Sequence, residues 1–87
     1  KESSKIGLTE TKLGIIPGAG GTQRLSRLIG VSRSKELIFK AAKINSKTAN
    51  EYGIVNQVFP DSEFIKNAFE SVDEIVSSAP IAVKLAK

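Results

Sequence analysis

The sequence predicts an α/β chain that is mostly helical and contains two short strands of a larger sheet. Apolar residues recur at helical spacing in five segments, whereas only two short segments have the pattern of a strand. These two strands lie too far apart in the sequence to form a hairpin. Because two strands cannot form a sheet that five helices would cover, we expect the rest of the sheet to lie outside these 87 residues.

The first half of the chain contains one predicted strand and two predicted helices. Polar and apolar residues alternate over Ser4–Leu8, which predicts the first strand. The first helix begins at Gly21, and Gly30 ends it. Ser32 is predicted to cap the second helix. Four apolar residues share a face of that helix: Leu37, Ile38, Ala41 and Ala42.

The second half contains the other strand and three helices. Ser46 is predicted to cap a short third helix that Gly53 ends, and Ile54–Phe59 is predicted as the second strand. The longest amphipathic pattern of the chain predicts the fourth helix over Phe64–Val76. Pro80 suits the first turn of a fifth helix.

The composition excludes several kinds of chemistry. The chain has no cysteine and no histidine, so thiol chemistry, a zinc site and a serine–histidine triad are impossible within it. We therefore expect no metal site, and acid–base chemistry must depend on carboxylates, lysines or Tyr52. No apolar run approaches the ~20 residues of a membrane span, so we expect no membrane partner.

The charge is unevenly distributed along the chain. Residues 1–50 carry ten lysines and arginines against three acids, whereas residues 51–87 carry three lysines against six acids. A basic half can bind a polyanion, so an RNA-binding module is one hypothesis, although we expect no DNA partner. Against RNA, the aromatic residues are predicted at apolar helix positions, which leaves no platform for bases. These residues are Phe39, Tyr52, Phe64 and Phe69.

The run LGIIPGAGGTQRLSRLIG, residues 13–30, holds most of the glycines. A dinucleotide-binding fingerprint would need a third glycine where Gln23 stands, and no pair of glycines has the spacing of a P-loop. A glycine turn before a helix nevertheless allows close approach of a ligand and leaves free N–H groups. The alternative interpretation is a tight turn that packs against a neighbouring segment.

Several residues in and around the glycine-rich run have two interpretations each. Ile15 and Ile16 either line an acyl pocket or, as we favour, pack in the core. Four cations either approach phosphates of a ligand or RNA or, as we favour, are ordinary exposed charges: Lys12, Arg24, Arg27 and Arg33.

The run ETKLGIIPGAGGTQRL, with KELIF and APIAVKLAK downstream, resembles the enoyl-CoA hydratase/isomerase (crotonase) family. Within the family it looks most like the branch of methylglutaconyl-CoA hydratases, some of which bind AU-rich RNA. The resemblance covers essentially all 87 residues but only a middle-to-late section of the family's longer chains. It implies that residues 1–87 are part of a crotonase-like (ClpP/crotonase) domain, with upstream and C-terminal parts missing.

The resemblance assigns roles to two residues. The family's second catalytic glutamate stands eight residues before the glycine of the P-G pair, which places it at Glu10, with Gly18 at the glycine. It implies that Glu10 donates a proton to the α-carbon of an enoyl thioester and that the Gly18 N–H holds the catalytic water. The partner glutamate and the oxyanion-hole donors belong to the upstream part. Five other glutamates are predicted as surface charges: Glu36, Glu51, Glu63, Glu70 and Glu74.

The resemblance therefore implies an acyl-CoA hydratase of fatty-acid or branched-chain amino-acid breakdown, with an isomerase of the same family as the alternative. Acyl-CoA is the expected substrate, no cofactor is expected, and the parent protein is expected to be a homo-oligomer, trimer or hexamer. The expected compartment is the mitochondrial matrix in a eukaryote and the cytoplasm in a bacterium. As a fragment, the 87-residue chain is expected to be inactive alone.

Overall fold

Five α-helices, two 3₁₀ turns and one two-stranded sheet form the computed structural model, which describes all 87 residues. The helices are α1 (Gly21–Ile29), α2 (Val31–Phe39), α3 (Ser46–Glu51), α4 (Phe64–Val76) and α5 (Pro80–Ala86). The strands are β1 (Lys5–Ile6) and β2 (Ile44–Asn45), and the 3₁₀ turns cover Glu10–Leu13 and Asp61–Glu63. The predicted number of helices is confirmed, as are the bounds of α4 and the proline in the first turn of α5.

The sheet differs from the prediction in its second strand. β1 lies within the predicted segment and pairs antiparallel with β2, with Lys5 opposite Asn45. The predicted strand Ile54–Phe59 is wrong, because this segment forms no ladder. Its Val55 carbonyl instead accepts a hydrogen bond of 3.1 Å from the Asn50 side chain. Hydrogen bonds from a side chain to backbone carbonyls offer the segment an alternative to a strand ladder.

Both predicted serine caps are wrong. α2 begins at Val31 with Gly30 as its N-cap, so Ser32 lies inside the first turn. The cap of α3 is Asn45, whose side-chain oxygen accepts a hydrogen bond of 2.8 Å from the Thr48 N–H. Ser46 is buried at the first helical position, and its hydroxyl donates to the Glu2 carbonyl at 2.6 Å. Two candidate caps stand side by side here, and the tertiary contact to Glu2 decides between them.

The end of α2 is a tight turn rather than a further stretch of helix. The Ala42 N–H donates to the Leu37 carbonyl at 2.9 Å, and the Ala41 N–H donates to the Ile38 carbonyl at 3.0 Å. This pair of bonds is a Schellman motif, with Ala41 in the left-handed position that glycine usually occupies (φ 47°). Ala41 and Ala42 therefore lie beyond the helix, although Ala41 is buried as predicted, together with Leu37 and Ile38.

The buried core is small and confined to one part of the chain. All eight buried residues lie between Pro17 and Ala49, and neither α4 nor α5 buries any residue. The radius of gyration is 15.5 Å, against about 12 Å for a compact domain of this length. The apolar face of α4 is solvent-exposed, with Phe69 65% and Val76 70% accessible.

No helix of the chain combines the length and the apolar character that crossing a bilayer requires.

Candidate active site

A 3₁₀ turn carries Glu10 just after β1. The turn covers Glu10–Leu13, and Gly14 ends it in the left-handed conformation (φ 74°). The Thr11 hydroxyl donates a hydrogen bond of 2.7 Å to the Ile38 carbonyl at the end of α2. The turn is thereby attached to the small core of the chain.

Glu10 differs from every other acidic residue of the chain in its burial. It is half-buried, whereas the other eight aspartates and glutamates are exposed, which confirms the five predicted surface glutamates. Its carboxylate takes part in none of the three ion pairs and in no side-chain hydrogen bond. Glu36, by contrast, binds Lys40 at 2.6 Å, and that hydrogen bond holds the pKa of Glu36 below its usual value. Glu10 is thus the one sheltered carboxylate without a partner.

The glycine cluster forms a turn immediately before α1. The Gly21 N–H donates to the Gly18 carbonyl at 2.8 Å, and the two residues between them are left-handed, Ala19 at φ 50° and Gly20 at φ 72°. The Arg24 guanidinium donates to the Ala19 carbonyl at 2.5 Å and braces the turn. The turn conformation therefore depends on Gly20 and not on Gly18, whose φ is not positive.

Gly18 is the most open position of this turn. It is exposed, and a Cβ added to it would meet no atom within 4 Å. Its N–H donates to no atom of the chain. Within this chain, therefore, no packing contact requires glycine at position 18, and its amide is free to bind a ligand.

A close contact at Gly21 joins the Glu10 segment to the glycine turn. A Cβ on Gly21 would lie 3.1 Å from Leu8 Cδ1 and 3.2 Å from Pro17 Cβ. Leu8 stands two residues before Glu10, and Gly21 is the first residue of α1. The contact therefore holds the start of α1 against the segment that leads to Glu10. Each interpretation of the glycine run applies to a different residue. Gly21 packs against a neighbouring segment, whereas Gly18 leaves room for the approach of a ligand.

The isoleucines and cations in and around the glycine-rich run are all exposed. The core assignment of Ile15 and Ile16 is wrong for this chain, since they are 58% and 79% exposed. They lie in the loop between the 3₁₀ turn and the glycine turn, which has no packed layer above it. All four flanking cations are exposed as favoured, although Arg24 binds the turn and Arg33 lies 4.5 Å from the centre of the Tyr52 ring.

The aromatic residues do not all occupy sheltered positions. Phe39 and Phe69 are 73% and 65% exposed. The prediction that helix packing leaves no aromatic side chain for RNA bases to stack on is therefore wrong. The reason is that α4 buries no residue and that Phe39 is the last residue of α2.

No group of three or more acidic side chains is placed to hold a metal ion.

The sequence did not single out Thr11 or Leu8 as parts of the site. Thr11 follows Glu10 directly and offers a hydroxyl, but its acceptor lies 27 residues away. Leu8 has the alternation of a strand residue, yet it contacts Gly21 beyond the strand end. Long-range partners of this kind leave no local signal in a single sequence.

Comparisons with known proteins give one family. The model of the family described as enoyl-CoA hydratase/isomerase matches residues 1–87. A short-chain-enoyl-CoA hydratase of Clostridium acetobutylicum is 49% identical over 98% of this chain and 33% of its own length. The human mitochondrial methylglutaconyl-CoA hydratase is 43% identical over 98% of this chain and 26% of its own length. The chain spans about a third or less of the length of these curated relatives.

Solved structures similar to this chain are also described as enoyl-CoA hydratases. The crystal structure of an enoyl-CoA hydratase from Bacillus anthracis superposes with a TM-score of 0.93 at 55% identity, covering 98% of this chain and 33% of that one. The crotonase fold predicted by the resemblance is thereby confirmed for these residues.

The turn geometry predicts that two alanine substitutions change the free energy of unfolding by different amounts. Gly20→Ala forces a side chain into the left-handed region and should lower the free energy of unfolding by about 1 kcal/mol. Gly18→Ala meets no atom and should change it by less than ~0.5 kcal/mol. Urea unfolding of both variants of the protein that contains this chain would measure the difference. Equal destabilisation by the two substitutions would contradict the described turn.

Proposed function

This chain belongs to the enoyl-CoA hydratase/isomerase family, and from that premise we propose that the protein containing it adds water to a 2-enoyl-CoA. The observation that carries the proposal is the placement of Glu10. It is the one half-buried acid of the chain. The segment before it packs on Gly21, the first residue of α1, and the turn that precedes α1 has free N–H groups.

Hydration of an enoyl thioester needs one group to activate water and one to protonate the α-carbon. We assign the second role to Glu10, whose carboxyl is not engaged by any cation or hydroxyl of the chain. A second carboxylate, outside these residues, would activate the water. Charge that develops on the thioester oxygen requires preorganised N–H donors, also outside these residues.

We assign the binding of the catalytic water to the Gly18 N–H. Three features support this role: the amide has no acceptor in the chain, its surroundings are open, and Arg24 braces the turn at Ala19 without contacting the Gly18 amide. The N-terminal end of α1 also directs the positive end of its dipole to this side.

The exposed side chains of Ile15 and Ile16 are the candidates for contact with the acyl group. They form an apolar surface in the loop that connects the two site segments. Acyl-CoA is thus the proposed substrate, and the proposed chemistry uses carboxylates and amides without a further cofactor.

The central test is the variant Glu10→Gln. It should lower kcat for hydration of a 2-enoyl-CoA by roughly 10²–10⁴-fold, since it removes the acid while keeping the shape. Glu51→Gln, at an exposed glutamate with no ion pair, is the matched control and should leave kcat unchanged. Near-normal hydration by Glu10→Gln would remove this residue from the mechanism. Isomerisation without hydration by the unmodified protein would assign it to the other activity of the family.

Gly18→Ala should lower kcat without lowering stability. A methyl group would stand where the water or substrate approaches the amide, although it touches no protein atom. The measurement is steady-state hydration beside the unfolding curve of the same sample. A variant with unchanged kcat would show that no ligand approaches residue 18.

We further propose that the protein is a homo-oligomer, a trimer or hexamer. The exposed apolar residues of α4 and α5, including Ile65, Phe69 and Leu85, form a surface of the kind that is covered in assemblies. Light scattering should give a mass of three or six protomers. A monomer across the micromolar range would contradict this proposal and leave the proposed activity untouched.

A further inference from the structure

The 3₁₀ turn that carries Glu10 has little internal support. The bonds at its ends run from the Lys12 N–H to the Thr9 carbonyl at 3.1 Å, from the Gly14 N–H to the Thr11 carbonyl at 3.2 Å and from the Ile15 N–H to the Glu10 carbonyl at 3.4 Å, near or beyond the long end of the usual range. Short 3₁₀ segments have poorer hydrogen-bond geometry than α-helices. Contacts outside the turn therefore contribute to the position of Glu10.

One side-chain hydrogen bond connects this turn to another element. The Thr11 hydroxyl donates to the Ile38 carbonyl across 27 residues at 2.7 Å, in a half-buried environment. Thr11 is the residue next to Glu10, so its side chain and the Glu10 carboxyl belong to consecutive positions of the same turn.

The acceptor of this bond is held firmly. Ile38 is 7% exposed, and its carbonyl also accepts the Ala41 N–H in the Schellman motif that ends α2. Ala41 keeps its left-handed conformation because it is itself buried, with 3% exposure. The Thr11 hydroxyl thus attaches the turn to a buried and hydrogen-bonded part of the chain.

We propose that Thr11 is a positioning residue for Glu10: its hydrogen bond to the Ile38 carbonyl fixes the turn that presents the catalytic carboxyl. The inference rests on the proposed function. Without the hydroxyl, the turn is free to shift relative to α2, and displacement of a catalytic group by about 1 Å can cost ~10²-fold in rate. Substrate contacts made elsewhere are unaffected, so the loss falls on kcat and not on KM.

The test compares substitutions at Thr11 in the protein that contains this chain. Thr11→Val keeps the shape and removes the donor, and it should lower kcat roughly tenfold or more with KM within about twofold. Thr11→Ser retains the donor and should restore kcat. Should Thr11→Val not fold, the pair Thr11→Ser and Thr11→Ala isolates the same hydroxyl.

Ser46→Ala is the matched control. It also removes a hydroxyl that donates to a distant carbonyl, that of Glu2 at 2.6 Å, but on an element that does not carry Glu10. It should lower the urea midpoint of unfolding and leave kcat unchanged. If Thr11→Val behaves like Ser46→Ala, the bond is only structural and the inference is overturned.

A double variant separates this inference from the proposed function. In the Glu10→Gln background, Thr11→Val should have no further effect on kcat, because a residue that acts through Glu10 has nothing left to position. Additive losses would overturn the positioning role while Glu10 remains catalytic. Full activity of Glu10→Gln alone would instead overturn the proposed function.

Discussion

The contact of Leu8 and Pro17 with the bare α-carbon of Gly21 is the constraint on which the site depends. It joins the chain leaving β1 to the first residue of α1, and a Cβ at position 21 would stand within 3.2 Å of both neighbours. The loop between these two points contains both Glu10 and Gly18. Closing the loop at its base fixes the two ends of the segment that carries the Glu10 carboxyl and the free Gly18 amide.

Rigidity is distributed unequally around this contact. Every buried residue lies between Pro17 and Ala49, and α4 and α5 contribute none. Segments with little buried apolar surface open at low free energy, whereas packed segments open only with global unfolding. The limited packing of the chain therefore lies beside the glycine turn and the end of α2, to which the Glu10 turn is attached.

The sequence predicted the elements whose formation depends on local periodicity. The bounds of α4 follow from its apolar repeat, and α1 follows from glycines at both ends. The predictions of the second strand and of the α3 cap failed, because both depend on contacts with residues distant in the sequence. β2 is only two residues long and exists because β1 lies beside it, whereas Ile54–Phe59 has the composition of a strand without a partner. The choice of Asn45 over Ser46 as a cap likewise follows from the distant Glu2 carbonyl.

Two independent features single out Glu10 among nine acids. One is its spacing from Gly18, a property of the sequence, and the other is its burial, a property of the fold. A carboxylate bound by a lysine, as Glu36 is by Lys40, has its hydrogen-bonding capacity committed to that partner. Glu10 is sheltered and unpaired, so its oxygens remain free for water or for an acyl group. This combination of partial burial and free oxygens is what the role proposed for Glu10 requires.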